Sequence, residues 1–260
     1  MKNIIVYLTF LFFIILYIFY YSQSYIEPFE DFLRFGYIIN LDERTDRLNN
    51  IIKAFEKYNL PLYRISAIRN SVGWKGCGYS HVSIIKMAKI SMLPSVLILE
   101  DDCIPTEHFN NWFIIQDWLE RHRDKWDIFI GGNGYYGFWT KQTNTIEPLC
   151  KIDNIKLYKT SNITSFQFYY VNSRVYDKMI EWEEYINSSN EWIPIDMWPS
   201  KIGLNCISCT PFLAIQTSSH SDIEGSVRDY QPMMATSENV IASIENNSTC
   251  EPFQNFSTFE

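Results

Sequence analysis

Val96-Leu97-Ile98-Leu99-Glu100-Asp101-Asp102 decides the reading of this chain. Four apolar residues, β-branched at two positions, form a run of the length of a buried strand, and three acids come directly after it without a spacer. Before it, Tyr37-Ile38-Ile39-Asn40-Leu41 reads as another buried strand, and Leu62 to Ile68 reads as the strand that follows. Helical patterns separate them. Leu48, Ile51, Ile52, Phe55 and Tyr58 recur at three- and four-residue spacing, with Asp42 or Thr45 available as the cap; Ser80 to Met92 repeats the pattern through Ile84, Ile85 and Ala88. The order β-α-β-α-β predicts an α/β fold with a mostly parallel sheet flanked by helices.

Downstream the alternation continues. Phe109 to Arg123 fits a helix, Trp126 to Ile130 a strand and Ser165 to Val171 another strand. Ser173 can then cap a helix whose stripe is Val175, Tyr176, Met179 and Trp182. From Met233 onward there is no Lys or Arg, and Ser, Thr and Asn cluster, so residues 233–260 are expected to form a loosely held acidic tail.

At the other end, Ile4 to Tyr21 is an apolar run close to the roughly 20 residues that cross a bilayer as a helix. Lys2 precedes it, while Glu27, Glu30 and Asp31 lie beyond it. That asymmetry predicts a cytoplasmic N-terminus (1–3), a transmembrane signal-anchor (4–21), a stem (22–35) and a lumenal or external catalytic body (36–232), the type II arrangement. A cleaved signal peptide ending near Ser22-Gln23-Ser24 is the alternative, although the run exceeds the usual apolar core of about 7–15 residues. Sequons at Asn162, Asn187, Asn246, Asn247 and Asn255 and an even count of six cysteines agree with a secretory location. Cys206-x-x-Cys209 lacks the second pair that a structural zinc site needs and reads as a pair of strand cysteines. A formal net charge of -8 argues against nucleic acid as a partner, since no excess of basic residues is present to gather phosphates.

In an open parallel sheet, ligands bind beyond the carboxyl ends of the strands, where Glu100, Asp101 and Asp102 stand. Three adjacent acids repel one another, and a divalent cation is the natural compensation. Oxygen ligands select Mn²⁺ or Mg²⁺, which can bridge to a diphosphate. The bland alternative is an acidic turn capping the next helix.

Three blocks taken in order carry a family resemblance: Ile39-Asn40-Leu41-Asp42-Glu43-Arg44-Thr45-Asp46-Arg47, Gly76-Cys77-Gly78-Tyr79-Ser80-His81 and Leu99-Glu100-Asp101-Asp102. Together they resemble the signature of glycosyltransferase family 25, which includes lipooligosaccharide and procollagen galactosyltransferases. Pro211 to Gln216 and Ser221 to Gly225 resemble the end of such a domain, so the likeness spans roughly Phe35 to Tyr230. The resemblance implies a GT-A-like fold, a UDP-sugar donor, a divalent metal, inversion at the anomeric carbon, and a glycan or glycoprotein acceptor. It places Asn40 and Leu41 against the base. Arg44 and Arg47 stand where they can fork onto donor phosphates, unless they form surface salt bridges with Asp42, Glu43 or Asp46. Gly76 would open a tight path into a helix beginning near Ser80, whose first turn carries His81, a residue that can equally be packing. Glu100 and Asp102 fit the acid-x-acid metal motif with Asp101 between them, and His220 or Asp222 would add a late ligand. Asp196, between apolar residues and tryptophans, is the candidate catalytic base, with a helix or turn cap as its alternative. A catalytically inactive surface lectin or scaffold is the competing function.

Overall fold

The computed structural model describes residues 34–135, 146–161, 163–189, 191–222 and 225–250. The first half runs β1 (Gly36–Asn40), α1 (Thr45–Phe55), β2 (Leu62–Ser66), α2 (Gly73–Ile90), β3 (Ser95–Glu100), β4 (Cys103–Pro105), α3 (Trp112–Arg121) and β5 (Ile128–Ile130). Next come β6 (Gly134–Tyr135), β7 (Ile146–Ile152), β8 (Ile155–Thr160), β9 (Ile163–Thr164), β10 (Phe168–Asn172) and α4 (Tyr176–Ser188). The chain closes with α5 (Trp198–Lys201), β11 (Cys206–Thr210), β12 (Ala214–Gln216), β13 (Ser219–Ser221), β14 (Ser226–Arg228) and α6 (Gln231–Ala242).

Eight strands form the central sheet in the order β2-β1-β3-β10-β5-β11-β8-β7. The β-α-β-α-β start is as expected, with β1 parallel to both β2 and β3. The sheet as a whole is mixed rather than mostly parallel, because β10 and β8 run against their neighbours. A short apolar run looks the same in either direction; direction is set by the connections, which periodicity does not report. The antiparallel insertions leave β1, β2, β3, β5 and β11 pointing the same way, so their carboxyl ends still share one edge.

Side chains along β3 alternate between the two faces of the sheet. Leu97 and Leu99 join Ile51, Phe55, Trp112, Ile115 and Leu119 in one buried cluster, on the face covered by α1 and α3. Val96, Ile98 and then Glu100 face the opposite side, where α2 packs against α4.

Helix α2 begins at Gly73, seven residues before the predicted start. Gly76 and Gly78 depress local helix propensity and so hide its first turns, and packing against neighbours recovers them. Neither glycine makes a turn; both allow close approach. A Cβ on Gly78 would sit 2.0 Å from Trp182 Cη2, and one on Gly76 would sit 2.6 Å from the carbonyl of Ile68. Two predicted caps also differ. Arg44 precedes α1 without a side-chain cap bond, while Asp42 instead accepts from Arg64 and Ser66. Before α4, the side chain of Asn172, not Ser173, accepts a backbone N–H, that of Arg174.

Residues 233–250, read from composition as loosely held, carry most of α6 and a cross-link. Met234 and Ile241 are buried with Tyr158 and Phe212, and Cys250 is disulfide-bonded to Cys150. The few apolar residues fall on one face, which an average over the segment conceals. Asn246 is buried and donates to the carbonyls of Cys150 and Leu157, so its sequon is closed, whereas Asn187 and Asn247 are exposed. Cys206 and Cys209 are buried strand residues, as expected. Among the described residues no helix is long and apolar enough to cross a membrane, and the predicted anchor 4–21 lies outside them.

Gly78→Ala should destabilise the folded chain by about 1–3 kcal/mol through overpacking against Trp182. Urea unfolding monitored by tryptophan fluorescence measures it.

Candidate active site

The three acids behind β3 diverge because the chain still alternates as it leaves the sheet. Glu100 turns toward α2, where His81 Nε2 lies 3.1 Å from its Oε1. The other ring nitrogen, Nδ1, is 2.8 Å from the hydroxyl of Tyr169. Asp101 turns toward α1 and accepts from Arg47 at 2.7 Å and from Asn40 Nδ2 at 2.8 Å. Asp102 lies between them, 3.7 Å from the same Arg47 nitrogen. Its backbone is clamped: the carbonyl accepts from Thr217 N at 2.8 Å, and Cys103 pairs with Gln216 in the β4–β12 ladder.

Arg47 reaches further. Its second terminal nitrogen donates to Ser219 Oγ at 2.7 Å and to the carbonyl of His220 at 2.8 Å, which ties the β13–β14 hairpin to α1. Arg44 strengthens the tie by pairing with Asp222, while its Nε donates to Asp46 at 3.1 Å. The Asp46 bond and then the Asp222 charge raise the affinity of Arg44 for its proton. Both arginines thus face protein carboxylates; Arg44 makes the surface pair with Asp46, whereas Arg47 serves the acids of the cleft.

Leu41, Arg47, Ser80, His81, Asp222 and the three acids share the lining of one open cleft. Asn40 and Gly76 lie beneath it. Asn40 is 1% exposed and does not face a base: its Nδ2 also donates to the Arg44 carbonyl, and its Oδ1 accepts from Arg64. It is a scaffold for Asp101. Ser80 bridges the Gly76 carbonyl and the Ile68 amide, which fixes the loop after β2. His81 lies in the third turn of α2 rather than its first, and is fully buried. The expected helix N-terminus at Ser80 is therefore interior helix, without free N–H groups for an anion.

The late residues separate. Asp222 lines the cleft, whereas the imidazole of His220 is exposed and the hairpin uses only its carbonyl. Asp196 lies outside the cleft lining, and its Oδ2 accepts from Ser165 N at 2.8 Å. Burial pushes its carboxyl up, and the Ser165 bond pulls it partly back. Neither the turn at Ile195–Met197 nor α5 has a side-chain cap bond, so its carboxylate ties the segment to the distant Ser165 amide instead of capping the helix or turn after Pro194. The sequence reading missed Cys77, Gln216 and Arg228, which also line the cleft. Cys77 had a signal, its four-residue spacing from His81, but that spacing means nothing until both lie in one helix.

Glu100, Asp101, Asp102 and Asp222 share the cleft lining with Arg47, Arg69 and Arg228, and Arg47 is the guanidinium that pairs with Asp101 and approaches Asp102. Burial first, and then Glu100, push Asp102 up to about 7. Burial also raises Asp101, against the pull of Arg47 and Asn40. Asp102 Oδ1 is buried and has no hydrogen-bond partner among the described residues. An orphaned carboxylate oxygen beside two further acids fits a divalent cation, with Glu100 and Asp102 as the residues that would hold it and oxygen donors favouring Mn²⁺ or Mg²⁺. Of the two late residues, Asp222 lines the same cleft and pairs with Arg44, whereas the His220 imidazole is exposed.

No protein-family model matches the chain, and no curated protein matches it. The solved structures it is similar to include the following, at 10% identity in each case. One is an assigned glucose-1-phosphate thymidylyltransferase from Bacillus anthracis in complex with sucrose, with 80% of this chain and 76% of that one covered and a TM-score of 0.37. Another is a glycosyltransferase involved in glycosylation of the major capsid of PBCV-1, at 61%, 68% and 0.38. The third is UDP-glucose pyrophosphorylase complexed with UDP-glucose, at 67%, 72% and 0.40. TM-scores of 0.40 and below transfer neither fold assignment nor chemistry.

The raised Asp102 has a measurable consequence in metal-free protein. A folded-state pKa above the unfolded one means the folded chain keeps a proton that the unfolded chain releases. Stability therefore falls as pH rises from about 4, the ordinary carboxylate value, to about 7, the value in the cleft. Asp102→Asn should then gain about 1–4 kcal/mol over the parent at pH 8 in chelator, and lose that advantage as pH falls toward the ordinary carboxylate range. Urea titrations across that range measure the difference.

Proposed function

We propose that this chain is a metal-dependent, inverting glycosyltransferase that moves a hexose, galactose or glucose, from a UDP-sugar to a glycan or glycoprotein acceptor. The observation that carries the reading is the buried Asp102, whose Oδ1 accepts no hydrogen bond from a described residue and whose proton affinity burial raises, in a cleft that gathers Glu100, Asp101 and Arg47. Such a group is destabilising in the bare protein and is satisfied when a cation and a diphosphate arrive together.

In this reading Glu100 and Asp102 hold the cation, and Asp222 closes the set from the hairpin. When bound, the cation offsets the charge that develops on the departing diphosphate. Asn40 keeps Asp101 in place, and Asp101 in turn aims Arg47 into the cleft, where its guanidinium can turn from carboxylate to phosphate. Leu41 offers an apolar edge to the base. Inversion and likeness to family 25 rest on the motif order; the placement of Arg47, His81 and the acid triplet around one cleft supports them. A type II membrane topology with a lumenal or external body completes the proposal, supported by the Cys150–Cys250 disulfide and the exposed sequons.

The full-length chain in detergent should bind UDP in the presence of Mn²⁺ and turn over at least one UDP-hexose. Asp102→Ala should weaken UDP binding by about 100-fold, roughly 2.7 kcal/mol, with an unchanged circular dichroism spectrum. Calorimetry with UDP and Mn²⁺ decides: absence of binding by the folded parent chain overturns the proposal.

A further inference from the structure

Cys77 and His81 stand four residues apart on α2 and so share one face of it. That face meets the end of β3, where a ligand atom from each of Cys77, His81 and Glu100 lies within 4.8 Å of the other two. Sulfur, imidazole nitrogen and carboxylate oxygen thus converge from two rigid elements. All three residues line the cleft, which gives an ion a route in and leaves one side open.

The surroundings hold this face in place. Tyr169 Oη is 2.8 Å from His81 Nδ1, which leaves Nε2 facing Glu100. Phe166 stacks on Tyr169 with ring centroids 4.0 Å apart and meets the imidazole edge-on. Trp182 fills the space that the absent Cβ of Gly78 leaves, which fixes the rotation of α2 and with it the direction of Cys77 and His81.

We propose that Cys77, His81 and Glu100 form a binding site for a thiophilic divalent cation, zinc above all, with its fourth position open to the cleft. Three protein ligands and one open position is the composition of zinc sites that bind a water or substrate group, whereas closed structural sites use four. Thiolate and imidazole select zinc or cobalt over the magnesium and manganese that carboxylates alone prefer. On binding, the Cys77 thiol gives its proton to solvent as the sulfur–metal bond forms. His81 binds through Nε2 while Nδ1–H donates to Tyr169 Oη, an outer bond that fixes ring orientation and tautomer. The assignment rests on these three side chains; Glu100 is also a proposed ligand of the sugar-transfer cation, and Cys77 and His81 are the ligands that belong to this site alone.

The test uses the full-length chain, stripped with chelator and titrated with cobalt(II) in the absence of nucleotide. Stoichiometric cobalt should give the near-ultraviolet thiolate-to-cobalt absorption, and zinc should abolish it by displacement. Cys77→Ser and Cys77→Ala should each lose the band, with folding checked by circular dichroism and the folded variant taken as decisive. Tyr169→Phe should lower zinc affinity by roughly 10- to 100-fold, the usual loss for an outer-shell partner. Asp102→Asn should keep the band. No thiolate band in the parent chain, or a band that survives loss of Cys77, overturns the site. Because the absorption is read without nucleotide, its absence leaves UDP binding untouched, and absence of UDP binding leaves it standing.

Discussion

Three carboxylates come after Leu99 without a break, and the fold has to accommodate their mutual repulsion at the mouth of a fully buried strand. One guanidinium, that of Arg47, meets two of them, and the pairing is mostly buried, where charge interactions are strong and unpaired groups are costly. Much of the surrounding architecture can be traced to this constraint. Asn40, fully buried at the end of β1, is a hydrogen-bonded support for Asp101. Glu100 is answered by His81, a residue from a different helix. Asp102 is left with a buried oxygen that accepts no hydrogen bond from a described residue.

The same constraint explains why the hairpin β13–β14 lies where it does. Arg47 has donors to spare after meeting the acids, and these bind Ser219 and the His220 carbonyl; Arg44 meets Asp222 beside them. Two arginines one helical turn apart, at the start of α1, therefore join a late part of the chain to the first helix. A guanidinium shared between carboxylates and a surface hairpin is also a group that an arriving phosphate competes for. Affinity for an anionic ligand and the position of the hairpin are consequently linked through the same donors.

Legibility of the site tracked the range of the interactions that make it. The position of Glu100, Asp101 and Asp102 behind a buried strand was readable, because strand burial is written in four consecutive residues. Arg47 and Asp222 were readable as members of the site through motif order, although their pairing partners were not. Asp196 was read as a base from its apolar neighbours in sequence, yet its carboxylate meets the amide of Ser165, thirty-one positions away. His220 was grouped with Asp222 by adjacency, but alternation in β13 sends its imidazole to solvent. Cys77 was overlooked because two glycines flank it and obscure the helix that aligns it with His81.

By itself the sequence determined the β-α-β-α-β beginning, the buried stripe of α4, that of α1 apart from Ile52, which is exposed, and the edge of the sheet at which acids collect. These depend on periodicity and on neighbours within a few residues. Only the tertiary structure decided the antiparallel insertion of β10 and β8, the early start of α2, and the ordering of residues 233–250 through α6 and the Cys150–Cys250 link. Each of those depends on a contact between distant segments: a ring filling the space beside a glycine, a strand entering between two others, a sulfur meeting its partner. Local pattern records which face of an element is apolar, but it does not record which surface arrives to cover it.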